Sequence, residues 1–368
     1  MSITLDEVRR FTVARNFFRP TGLSRTLNKL HFVQADPIRS PARAQDLILR
    51  HRAANYHAGD LERRYASLDI EEDFFINYGY VTRSLQLLMH PRSDARVPAD
   101  DIGRPWPRAQ RRQAKLILDF VRERGIVHPR EVDDYFSHGK VTNYWGGSSN
   151  ATTHLLDAMH YRGMLRVVRR EKGIRIYSVH NHERPNETAT ERRARMDALA
   201  DIVVRIYGPL PVSSLAFYIR RLRFAAPQWK DEVGSALARA KTRLAHVEVD
   251  GIEWYWNPDE KLRRSSDVED TVRFLAPFDP VVHDRKRFQI LWDWDYKFEA
   301  YTPAGKRRFG YYAMPLLWLD RVIGWANIGV ERRRLALDIG FVGARPSARS
   351  FTRALDAEVD RITQFLNI

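Results

Sequence analysis

Two stretches of this chain run through the same order of elements, and that order narrows the folds open to it. Residues 112–125 (RQAKLILDFVRERG) carry apolar side chains at Leu116, Ile117, Phe120 and Val121, the spacing of one helix face. A turn follows, and Pro129 opens a second helix, PREVDDYF. Proline suits that first helical position because the N–H it lacks would have no intrahelical partner. After the loop GGSSN comes a third helix, ATTHLLDAMHYRG, closed by Gly163. MLRVVRR and IRIYSVH then alternate about Glu171-Lys172-Gly173 as a hairpin. Residues 188–258 repeat the order. They hold the helix TATERRARMDALADIVVRIYG, a second helix after Pro209 and Pro211, a third in PQWKDEVGSALARAKT, and a hairpin turning at Asp250-Gly251. Three helices and a hairpin make a winged helix, so the expected fold is α+β, with tandem winged-helix (helix-turn-helix) modules.

The remaining segments flank those modules. In the first 90 residues LDEVRRFTVARNFF and LSRTLNKL read as helices and HFVQADPI as a strand. RAQDLILRHRAAN and EEDFFINYGYVTRSLQLLMH read as further helices. A degenerate winged helix over 1–91 accommodates them, followed by a Pro- and Gly-rich linker over 92–110. A second winged helix then covers 108–182 and a third 188–260. From about 272 the pattern turns to short aromatic-rich strands: VRFLAPFDP, KFEAYTP, RFGYYAMPLLWLD, RVIGWANIGVERR and LALDIGFVG. They predict a small C-terminal β-barrel, or a curled sheet, over 265–345. Residues 346–368 close the chain as an amphipathic helix with Phe351, Leu355, Val359, Ile362 and Phe365 on one face.

Charge then points to a class of partner. Lys and Arg number 61 against 46 Asp and Glu, a net +15, and only ten of the cations are lysine, leaving 51 arginines. An excess of this sign suits a polyanion, of which nucleic acid is the commonest. The planar arginine fork fits phosphates and base edges. There is no cysteine, which excludes disulfides, a thiol nucleophile and a thiolate metal site. No apolar run approaches the roughly 18 residues of a membrane helix. The start, MSITLDEVRRFTVARNFF, lacks the apolar core of a secretory signal, so no membrane and a cytoplasmic, nucleoid-associated location are expected. Neither G-x-x-x-x-G-K-[ST] nor G-x-S-x-G occurs. The only His-x-His, His180-Asn181-His182, follows a strand and reads as a surface loop, so no metal and no cofactor are expected. Without a heptad run the chain reads as a monomer.

The sharpest local feature is Val33-Gln34-Ala35-Asp36-Pro37. On a strand Gln34 and Asp36 share a face, and Pro37 stops the pairing just beyond them. An amide and a carboxylate side by side can hold one water, the carboxylate taking its proton and the amide fixing its direction. The plainer alternative is a solvated strand end. Taken together, HFVQADPI, ARAQDLILRHR, LAPFDPVVHDRKR and YTPAGKRRFGYYAMPLL resemble the AlkZ/YcaQ-type family of bacterial DNA glycosylases, from about residue 5 to 345. The resemblance implies tandem winged helices with a C-terminal β-barrel. It also implies a monofunctional glycosylase of base excision repair that hydrolyses the N-glycosidic bond of N-alkylated, cationic purines in double-stranded DNA, extending to unhooking of interstrand crosslinks. Gln34 and Asp36 match the family's Gln-x-Asp catalytic signature. The chain departs from the pattern at three places. Gln45-Asp46 stand where many members carry a His pair, Ile76 to Tyr80 where many carry Glu-Tyr-Trp-x-His, and His283 at a position usually aromatic or apolar.

Candidate DNA contacts are Arg43, soon after the motif strand, and two clusters, Arg285-Lys286-Arg287 and Lys306-Arg307-Arg308. The second cluster falls between two expected strands and is read as a hairpin tip, and in the family a barrel hairpin approaches the DNA. Arg332, Arg333 and Arg334 read as ordinary charge at a strand turn. The competing reading is a non-catalytic winged-helix DNA-binding protein or transcription regulator on the same scaffold.

Overall fold

The computed structural model describes residues 3–92, 105–136, 140–142, 148–182, 187–262 and 268–368. Helix α1 (Leu5–Asn16) starts on a capping box, in which the Thr4 hydroxyl accepts the Glu7 N–H and the Glu7 carboxylate accepts the Thr4 N–H. Helix α2 (Leu23–Leu30), strand β1 (Phe32–Gln34), α3 (Ala44–Leu49) and α4 (Asp60–Arg64) follow. The helix expected from EEDFFINYGYV is instead an antiparallel hairpin, β2 (Ile70–Phe74) and β3 (Tyr78–Thr82), and only its end is helical, as α5 (Arg83–Met89). The three acids look like a solvated helix face but are buried. A strand sends them alternately to two faces, and both faces meet cations. Glu71 pairs with Arg166 and Arg83, Glu72 with Arg170, and Asp73 with His90 and Arg92.

Next come α6 (Arg108–Arg124), β4 (Ile126–Val127), α7 (Pro129–Phe136), the pair β5 (Lys140–Thr142) and β6 (Ser148–Asn150), α8 (Ala151–Tyr161), and the hairpin β7 (Leu165–Glu171) and β8 (Ile174–Val179). β8 lies between β4 and β7. Of the expected linker, residues 93–104 lie outside the described residues, as do Gly146 and Gly147 of the glycine-rich loop. Helix α9 (Ala189–Tyr207) begins on a second capping box, between Thr188 and Glu191. Then follow β9 (Leu210–Pro211), α10 (Val212–Ala225), α11 (Val233–Arg243), β10 (Ala245–Val249) and β11 (Ile252–Trp256). Asp250 (φ 50°) and Gly251 (φ 73°) take the left-handed turn that joins β10 to β11 with the right strand twist.

The C-terminal strands are β12 (Val272–Phe274), β13 (Met314–Trp318), β14 (Arg321–Glu331) and β15 (Arg334–Phe341), with α12 (Arg285–Trp292) between the first two. They form one antiparallel sheet in chain order, a curled half-barrel in which β12 and β15 do not meet, so of the two expected forms the curled sheet is the one present. Helix α13 (Arg349–Leu366) lies along β12, where Glu358 accepts the Phe274 N–H at 3.0 Å and Arg361 donates to the Val272 carbonyl at 3.0 Å. KFEAYTP, read as a strand, is irregular.

The chain divides into two compact units, each built from separated segments. One comprises Met1–Leu61, Asp201–Ile219 and Leu237–Ile368, so it draws on the first, third and last of the modules read from sequence. Its core gathers Val8, Trp254, Val281, Phe288, Leu291 and Leu317. The other comprises Glu62–Ala200 and Arg220–Ala236. Its core holds Ile117, Val121, Val132, Leu156, Met159 and Leu165.

Candidate active site

Strand β1 stops at Gln34, which is buried, and Asp36 stands two residues past it. The expected shared strand face is therefore corrected. Asp36 Oδ1 accepts the Ile38 N–H at 2.9 Å, and a short polar side chain that closes such a turn competes with the strand ladder. The Asp36 N–H points at Gln45 Oε1, 3.5 Å away. Asp36 Oδ2 makes no protein hydrogen bond among the described residues. Burial pushes the Asp36 carboxyl above its ordinary value, opposed by the Ile38 N–H. Its charge in turn raises two phenols, those of Tyr301 and Tyr312, each already raised by burial. Tyr312 is buried, and among the described residues its hydroxyl has no hydrogen-bond partner. Tyr301 is 68% exposed. A half-buried carboxylate beside aromatic rings can face a developing cation and accept a proton.

The tyrosines belong to an irregular segment between α12 and β13 that is organised by one acid. Glu299 accepts the Arg308 N–H at 2.9 Å and the Phe309 N–H at 2.7 Å, and these bonds hold its carboxyl below the usual range against the opposing effect of burial. Arg307 Nε donates to the Thr302 carbonyl at 2.8 Å, and its guanidinium lies 5.0 Å from the Tyr311 ring centre. Lys306-Arg307-Arg308 thus ride on this segment and not on a hairpin tip, which corrects their expected position. The long hairpin is β14–β15, turning at Arg332 (φ 48°) and Arg333 (φ 63°). Lys306 and Arg308 are exposed. Arg43 is half-buried and directly precedes α3.

The other cationic cluster turns inward. Asp284 caps α12 by accepting the Arg287 N–H at 3.0 Å. Arg287 is fully buried and donates to the carbonyls of Pro280 at 2.5 Å and Val281 at 3.0 Å. Arg285 donates to the carbonyls of Val282 and Pro277 and packs 4.5 Å from the Tyr296 ring centre. Against the expectation that both touch DNA, Arg287 is withdrawn by its burial, while the half-buried Arg285 holds two backbone carbonyls. Lys286 is the exposed member. Just upstream, Asp279 and Arg52, both wholly buried, form a two-pronged ion pair at 2.7 and 2.9 Å.

The departures from the family pattern acquire local reasons. Asp46 is buried and accepts the Tyr56 hydroxyl at 2.6 Å and the Gly59 N–H at 3.0 Å, so it anchors a loop. Gln45 stands against the Gln34-Ala35-Asp36 turn. Ile76 O and Asn77 Oδ1 both accept from Arg221. His283 stacks with Tyr207 and Tyr218, its Nδ1 2.7 Å from the Tyr218 hydroxyl, which keeps an aromatic ring at that position and pairs its polar atom. His180 and His182 are not a surface loop: they are half-buried against His90. Burial and neighbouring rings push His180 down to about 2 and His182 down to about 3. Sequence reading missed His90, Tyr301 and Tyr312 as members of polar sites and named Gln45 only as a departure from the family pattern. YTP and GYY, both in YTPAGKRRFGYYAMPLL, were the available signals, for Tyr301 and Tyr312.

Comparison with known proteins agrees with this fold. Among solved structures, the chain is similar to the DNA glycosylase AlkZ of Streptomyces sahachiroi, with a TM-score of 0.65 at 14% identity over 100% of this chain and 98% of that one. At that identity the likeness is one of fold. A family model described as DNA glycosylase AlkZ-like matches residues 27–365, a span that takes in the Gln34-Ala35-Asp36 turn and nearly all of α13. The chain belongs to the AlkZ-like family of DNA glycosylases.

Proposed function

We propose that the protein hydrolyses the N-glycosidic bond of N-alkylated, cationic purines in double-stranded DNA, with Gln34 and Asp36 as the catalytic pair. The observation that carries the reading is the half-buried Asp36 carboxylate. One of its oxygens is tied into the turn, the other has no protein partner among the described residues, and Tyr301 and Tyr312 lie in its field. Alkylation at N7 or N3 gives the purine a positive charge, so it departs without strong general-acid help. The sugar left behind is oxocarbenium-like and needs a nearby negative charge and a water. Asp36 faces that charge and takes the water's proton, while Gln34 directs the lone pair. The neighbouring aromatic rings suit a cationic base, which their π faces attract. One carboxylate suffices, and crosslinked purines fall within the same chemistry because each crosslinked base carries the same cationic leaving group. On this reading the order α6–α8 with hairpin β7–β8, and α9–α11 with β10–β11, are two winged-helix modules, and Lys306, Arg308, Lys286 and Arg43 meet phosphates. The test is incubation with duplexes carrying 7-methylguanine and with a nitrogen-mustard crosslink, scoring free base and abasic sites. Release of base with no strand cleavage supports the reading. Tight duplex binding with no released base from either substrate overturns it in favour of a DNA-binding regulator.

A further inference from the structure

Three histidines from distant parts of the chain meet in the unit that does not contain Gln34 and Asp36. His90 follows α5, while His180 and His182 follow β8. The His90 and His182 rings are stacked, 4.6 Å apart at 7°, and the His180 ring centre is 3.6 Å from that of His182. One ring nitrogen from each lies within 4.8 Å of the other two. Stacking alone does not explain the arrangement, because it leaves His90 Nδ1 and His182 Nε2 buried without hydrogen-bond partners. A buried polar atom left unsatisfied destabilises the fold. The Asp73 carboxylate, 2.7 Å from His90 Nε2, accepts its hydrogen and so turns the His90 lone pair to Nδ1, toward the other two rings. A carboxylate behind a ligating histidine is the usual way a protein fixes the tautomer and basicity of a metal ligand. Space is kept as well. Gly163 (φ +73°) passes so close that a Cβ there would lie 2.8 Å from His90 Nδ1 and 3.3 Å from His182 Nε2. A cavity of about 310 Å³ adjoins the cluster, with Gly163, His180 and His182 in its wall.

We propose that His90, His180 and His182 form a binding site for a divalent transition metal of the Zn²⁺ class, with Asp73 as its supporting carboxylate and a fourth position left to water. The donor set decides the class. Three neutral imidazoles and no thiolate suit zinc and its first-row neighbours and give calcium and magnesium nothing they prefer. In a tetrahedral site with Zn–N near 2.05 Å the nitrogens stand about 3.3 Å apart, so the widest pair closes by up to about 1.5 Å on binding. The metal clips the end of β8 to the end of α5 and, through Asp73, to β2. The site is independent of the glycosylase reading and supplies no step of it.

The test uses the full chain, stripped with chelator and dialysed. Zn²⁺ is titrated against a chromophoric chelator, and Co²⁺ is added as a spectroscopic probe. The site predicts one equivalent of Zn²⁺ per chain, the visible bands of tetrahedral Co²⁺, and a melting temperature that rises with Zn²⁺ by mass action. His182→Ala, at a half-buried position, lowers affinity about a hundredfold or more and abolishes the Co²⁺ bands, since outer partners alone contribute 10–100-fold. His154→Ala, at an exposed position on α8, leaves both unchanged. If His182→Ala melts before it can be titrated, His180→Gln takes its place. Zn²⁺ binding that is absent in the wild type, or that survives undiminished in His182→Ala and His180→Gln, overturns the proposal. So does an ordered water bonded to these nitrogens in a crystal grown with zinc.

Discussion

The end of β1 and the segment 278–287 belong to the same compact unit and use polar side chains in opposite ways. Along 278–287 every named charge but one is consumed by the fold. Asp279 is locked to Arg52, Asp284 caps a helix, and Arg285 and Arg287 hold carbonyls. At the end of β1, Asp36 commits one oxygen to a turn and keeps the other, at a site whose burial disfavours its charge. The longer and more distinctive string is therefore largely scaffold, and the three-residue string is where the proposed chemistry is placed. A motif that identifies a family need not be the motif that does its work. Interlocking charges constrain sequence more tightly than one half-buried carboxylate does.

Scaffold and site can be broken separately. The largest effect is on stability. Asp279→Ala leaves Arg52 buried without its counter-ion and is expected to cost about 3–5 kcal/mol, read from the denaturant midpoint. Its remaining folded fraction should excise at the normal rate, and a rate loss beyond unfolding would break the division between scaffold and site. Next comes Gln34→Ala. Water partly replaces an orienting amide, so single-turnover excision should fall about 10-fold, short of the 10²–10⁴ for a lost general base. The pH profile sharpens the comparison. On the proposed role Asp36 acts as a carboxylate, so excision should fall as pH drops through its raised pKa, with the acidic limb above the roughly 3.9 of a free Asp. The sign for stability is the reverse. A carboxyl raised in the folded state stabilises it fully only below the unfolded pKa, and that contribution is lost as pH rises through the folded value. The smallest effect is electrostatic. Lys306→Glu with Arg308→Glu should flatten the slope of log K against log salt by about 0.9 for each phosphate the protein no longer neutralises, with melting unchanged. An unaltered slope would remove this segment from the DNA-facing surface.

Much of the scaffold could be read from periodicity and punctuation. Proline at 129, the Thr188–Glu191 box and the Asp250-Gly251 turn each act through their nearest neighbours, so the elements over 108–136 and 189–256 were legible. What failed were features set by distant partners. Glu71-Glu72-Asp73 read as part of a helix because nothing nearby reveals Arg166, Arg170 and Arg92. The arginine excess read as a DNA surface, yet Arg52, Arg92 and Arg287 are wholly buried. The histidine cluster was invisible because His90 lies about ninety residues from the pair it meets. For the candidate site, the residues Gln34 and Asp36 could be named from sequence but their geometry could not. An Asx turn rather than a strand presents the carboxylate, and the tyrosines around it come from the far end of the chain.

The central claim is that Asp36 is poised for chemistry at the expense of the fold, while Asp279, Asp284 and Arg287 in 278–287 serve the fold. The most direct test measures Asp36→Asn twice, for single-turnover release of 7-methylguanine and for thermal stability at pH 7. The substitution keeps size and removes both the charge and the proton acceptor. The account predicts a rate lower by about 10²–10⁴ and a melting temperature equal to or above that of the wild type. Release of 7-methylguanine at the wild-type rate would contradict it.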